Sequence, residues 1–390
     1  MRYSGPERRS SDRRRQALSI AVRPTYARID SSSLVHNLKV VRERVGGGVR
    51  VLAVVKANGY GHGAVQAAQA FVEAGAWGLA VSLVEEGVEL RQSGITAPVL
   101  VLGGVHPGSE DVIVHRSLTP VVWAREHLQR LASAVHRSGA LPLGVHLKVD
   151  TGMSRLGLLV DELPALMDFL CGEDGGHLHL EGLMTHLACA DEADDQTSPT
   201  QLRIFREALG TLSGRGLHPK LKHVCNSAGV FRYPDAHFDM VRPGIAIYGA
   251  ASSQDVQLPG LKMAMGVHSR ILGIRELPAG ARVSYGHTEE LVRRSRLGIV
   301  PVGYADGYPR RMSGKAEVLV RGHRCRVIGN ITMDTSMIDV TDLPDAREGE
   351  RVTLLGTQGR QVLTTHELAE WAAQIPYEIM CGISKRIPRR

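Results

Sequence analysis

The feature that most constrains this chain is an alternation of short apolar runs with helical segments between residues 50 and 250. Eight runs fall at residues 51–55, 77–81, 98–102, 118–123, 143–149, 180–185, 222–224 and 239–247. Segments with helical periodicity connect them, for example 64–74, 83–93, 125–138 and 201–213. Strands that alternate with helices are typical of a parallel α/β fold. Eight such units favour a closed (β/α)8 TIM barrel, and a doubly wound sheet is the alternative.

The pattern changes after about residue 255, where helical periodicity gives way to short alternating strands separated by turns. We expect strands near 269–274, 281–285, 297–302, 316–320, 323–328, 335–340 and 351–355. The last segment, 365–381, is expected to be helical at first and then irregular. The sequence therefore predicts a barrel over residues 23–255 and an all-β domain over 256–390. The early stretch 25–29 is expected to pair with the second domain as a strand.

Charge and composition exclude several classes of protein. The net charge is +7, but residues 1–20 hold six arginines against Glu7 and Asp12, so +4 lies there and +3 elsewhere. This weak excess argues against nucleic-acid binding by the body of the chain. The Arg-rich residues 1–22 are predicted to be a disordered tail, with an arm for an acidic partner as the alternative.

The lengths of the apolar stretches and the spacing of the cysteines bear on localisation and on metal binding. No apolar stretch approaches the roughly 18–20 residues of a membrane span, and the start of the chain lacks a convincing secretory signal. Five widely spaced cysteines form no CxxC motif, which is typical of reduced thiols and not of a zinc site. We therefore expect a cytoplasmic protein with no membrane contact and no metal.

A lysine at the end of the first apolar run is the strongest indication of chemistry. Lys56 follows a buried-type strand and precedes the glycine-rich turn GYGHG at residues 59–63. An unpaired buried ammonium is unfavourable, whereas a Schiff base with an aldehyde cofactor suits a lysine in such a position. GYGHG also lacks the spacing of the GxGxxG dinucleotide motif.

Polar residues follow the other runs, as a barrel with its site at the carboxyl ends of the strands requires. Lys148 ends the fifth run and His186 follows the sixth, Ser227 follows the seventh, and Arg242 and Gly244 lie on the eighth. The Ser227 hydroxyl and the backbone at 243–245 offer donors to a phosphate. A phosphate site beside a Schiff-base lysine indicates pyridoxal 5′-phosphate (PLP).

From residue 22 onwards, the chain resembles the alanine racemase family. The matching blocks include AVVKANGYGHG (53–63), LKVDTGMSRLG (147–157), MTHLACAD (184–191), HVCNSAG (223–229), MVRPGIAIYG (240–249), VSYGHT (283–288), PVGYADGYPR (301–310), NITMD (330–334) and PYEIMCGISKRIPR (376–389). The resemblance implies a PLP-dependent isomerase that interconverts L- and D-alanine for peptidoglycan. It also implies a homodimer whose active site lies at the subunit interface.

The resemblance assigns two bases, which racemisation requires on opposite faces of the substrate. Lys56 would bind PLP and act as one base, and Tyr285 of the partner subunit would act as the other. Arg242 would face the pyridine nitrogen, and because arginine can only donate there, the nitrogen stays unprotonated. The remaining cofactor residues implied are Tyr60, His186, Asn226, Ser227, Gly244, Ile245 and Tyr377.

Substrate binding is assigned in the same way. Arg155 and the backbone N–H of Met333 would hold the substrate carboxylate. Lys148 matches a lysine that is carbamylated in many members of the family, which would pair it with Arg155; an unmodified lysine near an acidic neighbour is the alternative. Tyr304 would narrow the substrate entrance together with Tyr377, and Asp334 would line the access channel.

Three places depart from the commonest family pattern. His287-Thr288 is followed by Glu289, where an aromatic residue often stands, and Asn330 to Thr332 and Thr335 also differ from the usual residues. The last two places lie near the substrate, so a broad-specificity or serine-preferring racemase stays open. A PLP-dependent decarboxylase on the same barrel is a weaker alternative, because such enzymes typically place an acidic residue where this chain has Arg242.

Overall fold

The protein is described by a computed structural model over residues 22–256 and 258–390. The prediction of a disordered Arg-rich tail lies outside the described residues. Within the described ranges, no helix combines the length and the apolar character needed to cross a membrane.

Eight parallel strands form a barrel, as the sequence predicts. Neighbouring strands pair in the order β8-β7-β6-β5-β4-β3-β2-β9. Their bounds are β2 Arg50–Val54, β3 Gly78–Val81, β4 Val99–Val101, β5 Thr119–Val122, β6 Leu143–Lys148, β7 Leu178–Met184, β8 Leu221–His223 and β9 Met240–Val241, preceded in the chain by β1 Tyr26–Ile29. The seam between β8 and β9 is bridged by backbone hydrogen bonds from Asp239 N to Lys222 O (3.1 Å) and from Arg242 N to Cys225 O (2.9 Å).

Helices cover the outside of the barrel and pack apolar stripes against it. In the helix at Arg125–Ser138 the buried residues Leu128, Leu131, Ala132 and Val135 recur at three- and four-residue spacing, which places them on one face. The α-helices are α1 Ser31–Val45, α2 Ala64–Glu73, α3 Val84–Gln92, α4 Glu110–His115, α5 Arg125–Ser138, α6 Leu163–Cys171, α7 Thr197–Ser213, α8 Ser227–Arg232, α9 Thr365–Ala372 and α10 Pro376–Gly382.

The C-terminal half forms an antiparallel sheet of nine strands. Its order is β1-β10-β18-β15-β16-β17-β14-β11, with β19 paired to β18, and a separate hairpin joins β12 to β13. The early strand β1 pairs with β10 in this sheet. The bounds are β10 Met265–Arg270, β11 Gly273–Leu277, β12 Arg282–Val283, β13 Glu289–Glu290, β14 Ser295–Val300, β15 Glu317–Val320, β16 His323–Ile328, β17 Ser336–Asp339, β18 Arg351–Gln358 and β19 Gln361–Leu363.

Several local predictions are wrong. The segment 269–274 is not one strand, because β10 ends at Arg270 and β11 begins at Gly273. The run 239–247 is not one strand, because β9 ends at Val241 and a 3-10 helix follows at Ile245–Tyr248; Pro243 between them has no N–H to continue a strand ladder. The irregular end expected for 365–381 is a second helix, α10. A proline at its first position and Glu378, whose carboxylate accepts from Ile375 N at 3.0 Å, begin this helix.

Candidate active site

Lys56 stands where the buried strand β2 turns sharply. Val51–Val55 are buried, and after Lys56 the residues Ala57, Asn58 and Tyr60 have φ of 51°, 55° and 50°. Such left-handed conformations are costly for residues other than glycine. The Glu86 carboxylate secures the turn by accepting from Ala57 N at 2.6 Å. Burial, and then the nearby Arg155 cation, lower the pKa of Lys56.

A cavity of about 420 Å³ opens at the carboxyl ends of the barrel strands. Its size falls within the range typical of sites for small molecules and cofactors. Ten of the residues predicted from the sequence line it: Lys56, Tyr60, Lys148, Arg155, His186, Asn226, Ser227, Arg242, Gly244 and Tyr377. The rule that barrel enzymes place their sites at this end is therefore satisfied here.

Arg242 is buried at the base of the cavity and held by four acceptor residues. Its two Nη groups donate to His223 Nδ1 (2.8 Å) and His223 O (2.9 Å), and to Thr185 O (2.7 Å), Val224 O (2.9 Å) and His186 Nδ1 (3.2 Å). Arginine cannot accept a hydrogen bond, so both histidines accept through Nδ1. Burial, followed by the charge of Arg242, keeps the pKa of both histidines well below the usual value. These bonds leave Nε–H as the donor available to a ligand in the cavity.

A tight cradle is formed where Ser227, Gly244 and Tyr60 meet. Ser227 Oγ accepts from Gly244 N (2.9 Å) and Ala246 N (3.2 Å), which leaves the hydroxyl hydrogen free to donate. A Cβ at position 244 would lie 2.4 Å from Tyr60 Oη, so any larger residue would displace this hydroxyl. Ile245 follows at the start of the 3-10 helix and flanks the cavity without lining it.

The residues present fit PLP in their chemistry. A lysine amine stands in the same cavity as the hydroxyls of Ser227 and Tyr60, which suit a phosphate. Arg242 offers a donor and no acceptor to the ring nitrogen.

Lys148 and Arg155 are two cations that line the same cavity. Oδ1 of Asp150, the acidic neighbour, accepts hydrogen bonds from the backbone N–H groups of Gly152 (2.9 Å) and Met153 (3.0 Å). Within residues 22–256 and 258–390, no carboxylate forms an ion pair with either cation. Burial, and then Arg242, lower the pKa of Lys148 to about 8.

The other predicted residues form a separate cluster on the C-terminal domain. Tyr285, Tyr304 and Met333 are 74%, 43% and 53% exposed. Tyr304 N donates to Thr332 O at 3.0 Å, beside Met333, and Asp334 accepts from Arg386 Nη2 at 2.7 Å. None of Tyr285, Tyr304, Met333 and Asp334 is among the described residues that line the barrel cavity.

At two of the departures from the family pattern, Thr332 and Thr335, the side-chain hydroxyls form hydrogen bonds within the chain. Thr332 Oγ1 lies 2.9 Å from Thr335 O and 2.9 Å from Thr335 Oγ1. These hydroxyls therefore build the turn that carries Met333. Nothing in this arrangement favours a hydroxylated substrate over alanine.

Sequence reasoning missed cavity residues that have no special chemistry. Ser82, Leu102 and Gly103 follow β3 and β4 and line the cavity, so the strand-end rule alone would have found them. His223, which fixes Arg242, was also missed. Its signal was weak, because a histidine inside a short apolar run is usually a packed core residue.

The fold and the cavity define a class of protein. It is a TIM-barrel enzyme with a lysine, the cradle of Ser227, Gly244 and Tyr60, and a buried arginine at the carboxyl ends of the strands, followed by a strand-rich domain.

Comparison with known proteins identifies the family within that class. Residues 29–252 match the alanine racemase N-terminal domain, and residues 264–390 match the alanine racemase C-terminal domain. The alanine racemase of Symbiobacterium thermophilum is 45% identical over 373 residues, which is 94% of this chain and 97% of that protein. The alanine racemase of Sorangium cellulosum is 41% identical, over 94% and 99%.

Solved structures agree. The alanine racemase from D-cycloserine producing Streptomyces lavendulae has a TM-score of 0.90 at 34% identity and covers 94% of this chain and 96% of its own. The structure from Bartonella henselae, with covalently bound pyridoxal phosphate, has a TM-score of 0.84 at 29% identity over 94% and 99%. This chain belongs to the alanine racemase family, whose members are isomerases that depend on PLP.

Proposed function

We propose that this protein racemises L- and D-alanine by a two-base mechanism in a homodimer and supplies D-alanine for peptidoglycan in the cytoplasm. The observation that carries the proposal is the division of the predicted residues. Lys56 lies in the barrel cavity, whereas Tyr285 is 74% exposed on the other domain. Tyr285 is exposed and lies outside the cavity in which it would act as a base. This position is explained if a second subunit covers it.

PLP, when bound, withdraws electrons from the substrate α-carbon and so makes the α-proton acidic. Lys56 Nζ takes or returns this proton on one face. Tyr285 Oη of the partner subunit acts on the opposite face, so inversion follows. The lowered pKa of Lys56 increases the neutral fraction of its amine, which is the form that accepts a proton.

The other residues bind and orient. Arg155, a cation at the cavity wall, binds the substrate carboxylate together with the backbone N–H of Met333 of the partner subunit. Ser227 and Tyr60 hold the phosphate, and Arg242 holds the ring nitrogen through Nε–H. Carbamylation of Lys148 would give Arg155 the anionic partner that the described chain does not otherwise supply.

Subunit complementation tests the proposal. Lys56→Ala and Tyr285→Phe homodimers should each be nearly inactive in a chiral alanine assay. If each site takes Lys56 from one subunit and Tyr285 from the other, a mixed dimer contains one intact site and one doubly defective site. After unfolding and refolding an equal mixture, half the dimers are mixed and half of their sites are intact, so about one quarter of wild-type activity should return.

Controls separate this outcome from refolding loss. Wild-type protein taken through the same cycle sets the attainable activity, and Lys39→Ala, on an exposed position of α1, should behave as wild type. A mixture no more active than its two components would place both bases in one chain and refute the shared site.

A further inference from the structure

The loop that carries Tyr285 is strained and is held by hydrogen bonds from another segment of the chain. After β12, Ser284 has a φ of 65° and His287 a φ of 48°, with Gly286 at 73° between them. Left-handed conformations are costly at residues other than glycine. The exposed Tyr285 ring gives this loop little packing of its own, so its position depends on backbone contacts with a neighbouring segment.

That neighbouring segment begins at Asn330, one of the departures from the family pattern. Asn330 Nδ2 donates to Tyr285 O at 2.6 Å, and Asn330 O accepts from Ser284 Oγ at 2.7 Å. The two segments also touch closely, because a Cβ at Gly329 would lie 2.8 Å from Ser284 Cβ. One residue therefore fixes the loop on both sides of the Cα of Tyr285.

The segment that begins at Asn330 also carries Met333. Thr332 N donates to Thr335 O at 3.0 Å, which closes a turn around Met333 and Asp334. Ala305 N donates to Met333 O at 3.1 Å, which ties this turn to the segment that carries Tyr304. Asn330 thus connects the loop that bears the proposed base to the turn that bears the proposed carboxylate ligand.

We infer that Asn330 is a positioning residue that sets Tyr285 relative to Met333 before the two reach the partner's cavity. The inference rests on the proposed function of both residues. Proton transfer depends steeply on geometry, and a misplacement of about 1 Å can cost about 100-fold in rate. Loss of the amide donor should therefore impair the Tyr285 side of the reaction and spare the Lys56 side.

The α-proton exchange of each alanine enantiomer in D2O reports the two sides separately. The enantiomer whose proton Lys56 removes can exchange with retention when the opposite base is lost. Asn330→Ala removes the donor, and Asn330→Asp keeps the shape while it places a carboxylate oxygen beside Tyr285 O. In holoenzyme of either variant, Tyr285-side exchange should fall about 10- to 100-fold, and Lys56-side exchange less than about 3-fold.

Three measurements make the result decisive. Arg326→Gln breaks the exposed 3.5 Å ion pair to Glu289 next to the same loop and should leave both exchanges at the wild-type level. If both sides fall together in the Asn330 variants, Asn330 has only a structural role, and if neither side falls it does not position the base. Tyr285→Phe in the same assay tests the two-base mechanism itself. If that variant spares both sides, the proposed function fails, and the role of Asn330 fails with it.

Discussion

Gly244→Ala tests the cradle that we assign to the PLP phosphate. The new Cβ would lie 2.4 Å from Tyr60 Oη, whereas ordinary contact begins at 3.4 Å, so the hydroxyl must move by 3.4 − 2.4, or about 1 Å. Position 244 has a φ of −113°, outside the left-handed region. The new Cβ acts on the cradle through its contact with Tyr60.

A shift of this size would break a hydrogen bond from the Tyr60 hydroxyl to the phosphate of bound PLP. A hydrogen bond to a charged group contributes about 1.5–3 kcal/mol, and each 1.4 kcal/mol is tenfold in affinity. We expect Gly244→Ala to weaken PLP binding by about 10- to 150-fold. Tyr60→Phe deletes the same hydroxyl and should weaken binding by a similar factor.

Titration of the cofactor-free protein with PLP, followed by visible absorbance, measures these affinities. Both substitutions remove the same hydrogen bond. The double variant Tyr60→Phe/Gly244→Ala should therefore bind PLP no more weakly than the worse single variant. Gly210→Ala is the matched control: it lies inside α7 with nothing within 4 Å of its Cβ. It should leave the affinity unchanged and stabilise the fold by about 1 kcal/mol.

Two results would refute the reasoning about the cradle. Wild-type affinity in Gly244→Ala would mean that the Tyr60 hydroxyl does not contact the phosphate. Losses that multiply in the double variant would mean that the two residues act on different parts of the cofactor.

Two further predictions concern Lys148 and the buried carboxylate of Asp306. With the pKa of Lys148 lowered to about 8, about half of its amine is neutral at pH 8 and reactive towards CO2. Native mass spectrometry in bicarbonate should show the mass of one added CO2 at pH 8, a loss of it at pH 6, and none in Lys148→Arg. Arg23 donates to Asp306, which is fully buried, at 2.9 and 2.7 Å. Arg386 Nε stays 3.4 Å from the Asp306 carboxylate, so Arg23→Ala removes the shorter of two ion pairs and should lower the free energy of unfolding in urea by about 2 kcal/mol. Arg28→Ala, exposed on β1, should change it little.

The sequence predicts best where burial alone decides the structure. Barrel strands are buried on both faces, so their apolar runs stand out against amphipathic helices, and helix α5 was predicted at its observed bounds. A helical apolar period sets its length, and Gly139, at a φ of 64°, ends it. The cavity followed from the same reasoning, because parallel strands bring their carboxyl ends to one edge.

Prediction fails where the site overrides local preference. The run 239–247 has the apolar content of a strand, yet it is broken at Pro243 and Gly244 to form the cradle beside Ser227. The position of Tyr285 is another such case. No periodicity indicates that a tyrosine in a short β-hairpin is exposed and lies outside the barrel cavity.

Both proposed bases are placed by the same device, which explains why local patterns do not show them. Lys56 is followed by a left-handed turn that is held by the Glu86 carboxylate, and Tyr285 lies in a left-handed loop that is held by the Asn330 amide. Strained turns persist only when neighbouring groups fix them, and each anchor comes from a separate segment of the chain. The position of each proposed base therefore depends on the polar group that holds its turn. Substitutions at Glu86 and Asn330 should affect proton transfer although neither side chain contacts the substrate.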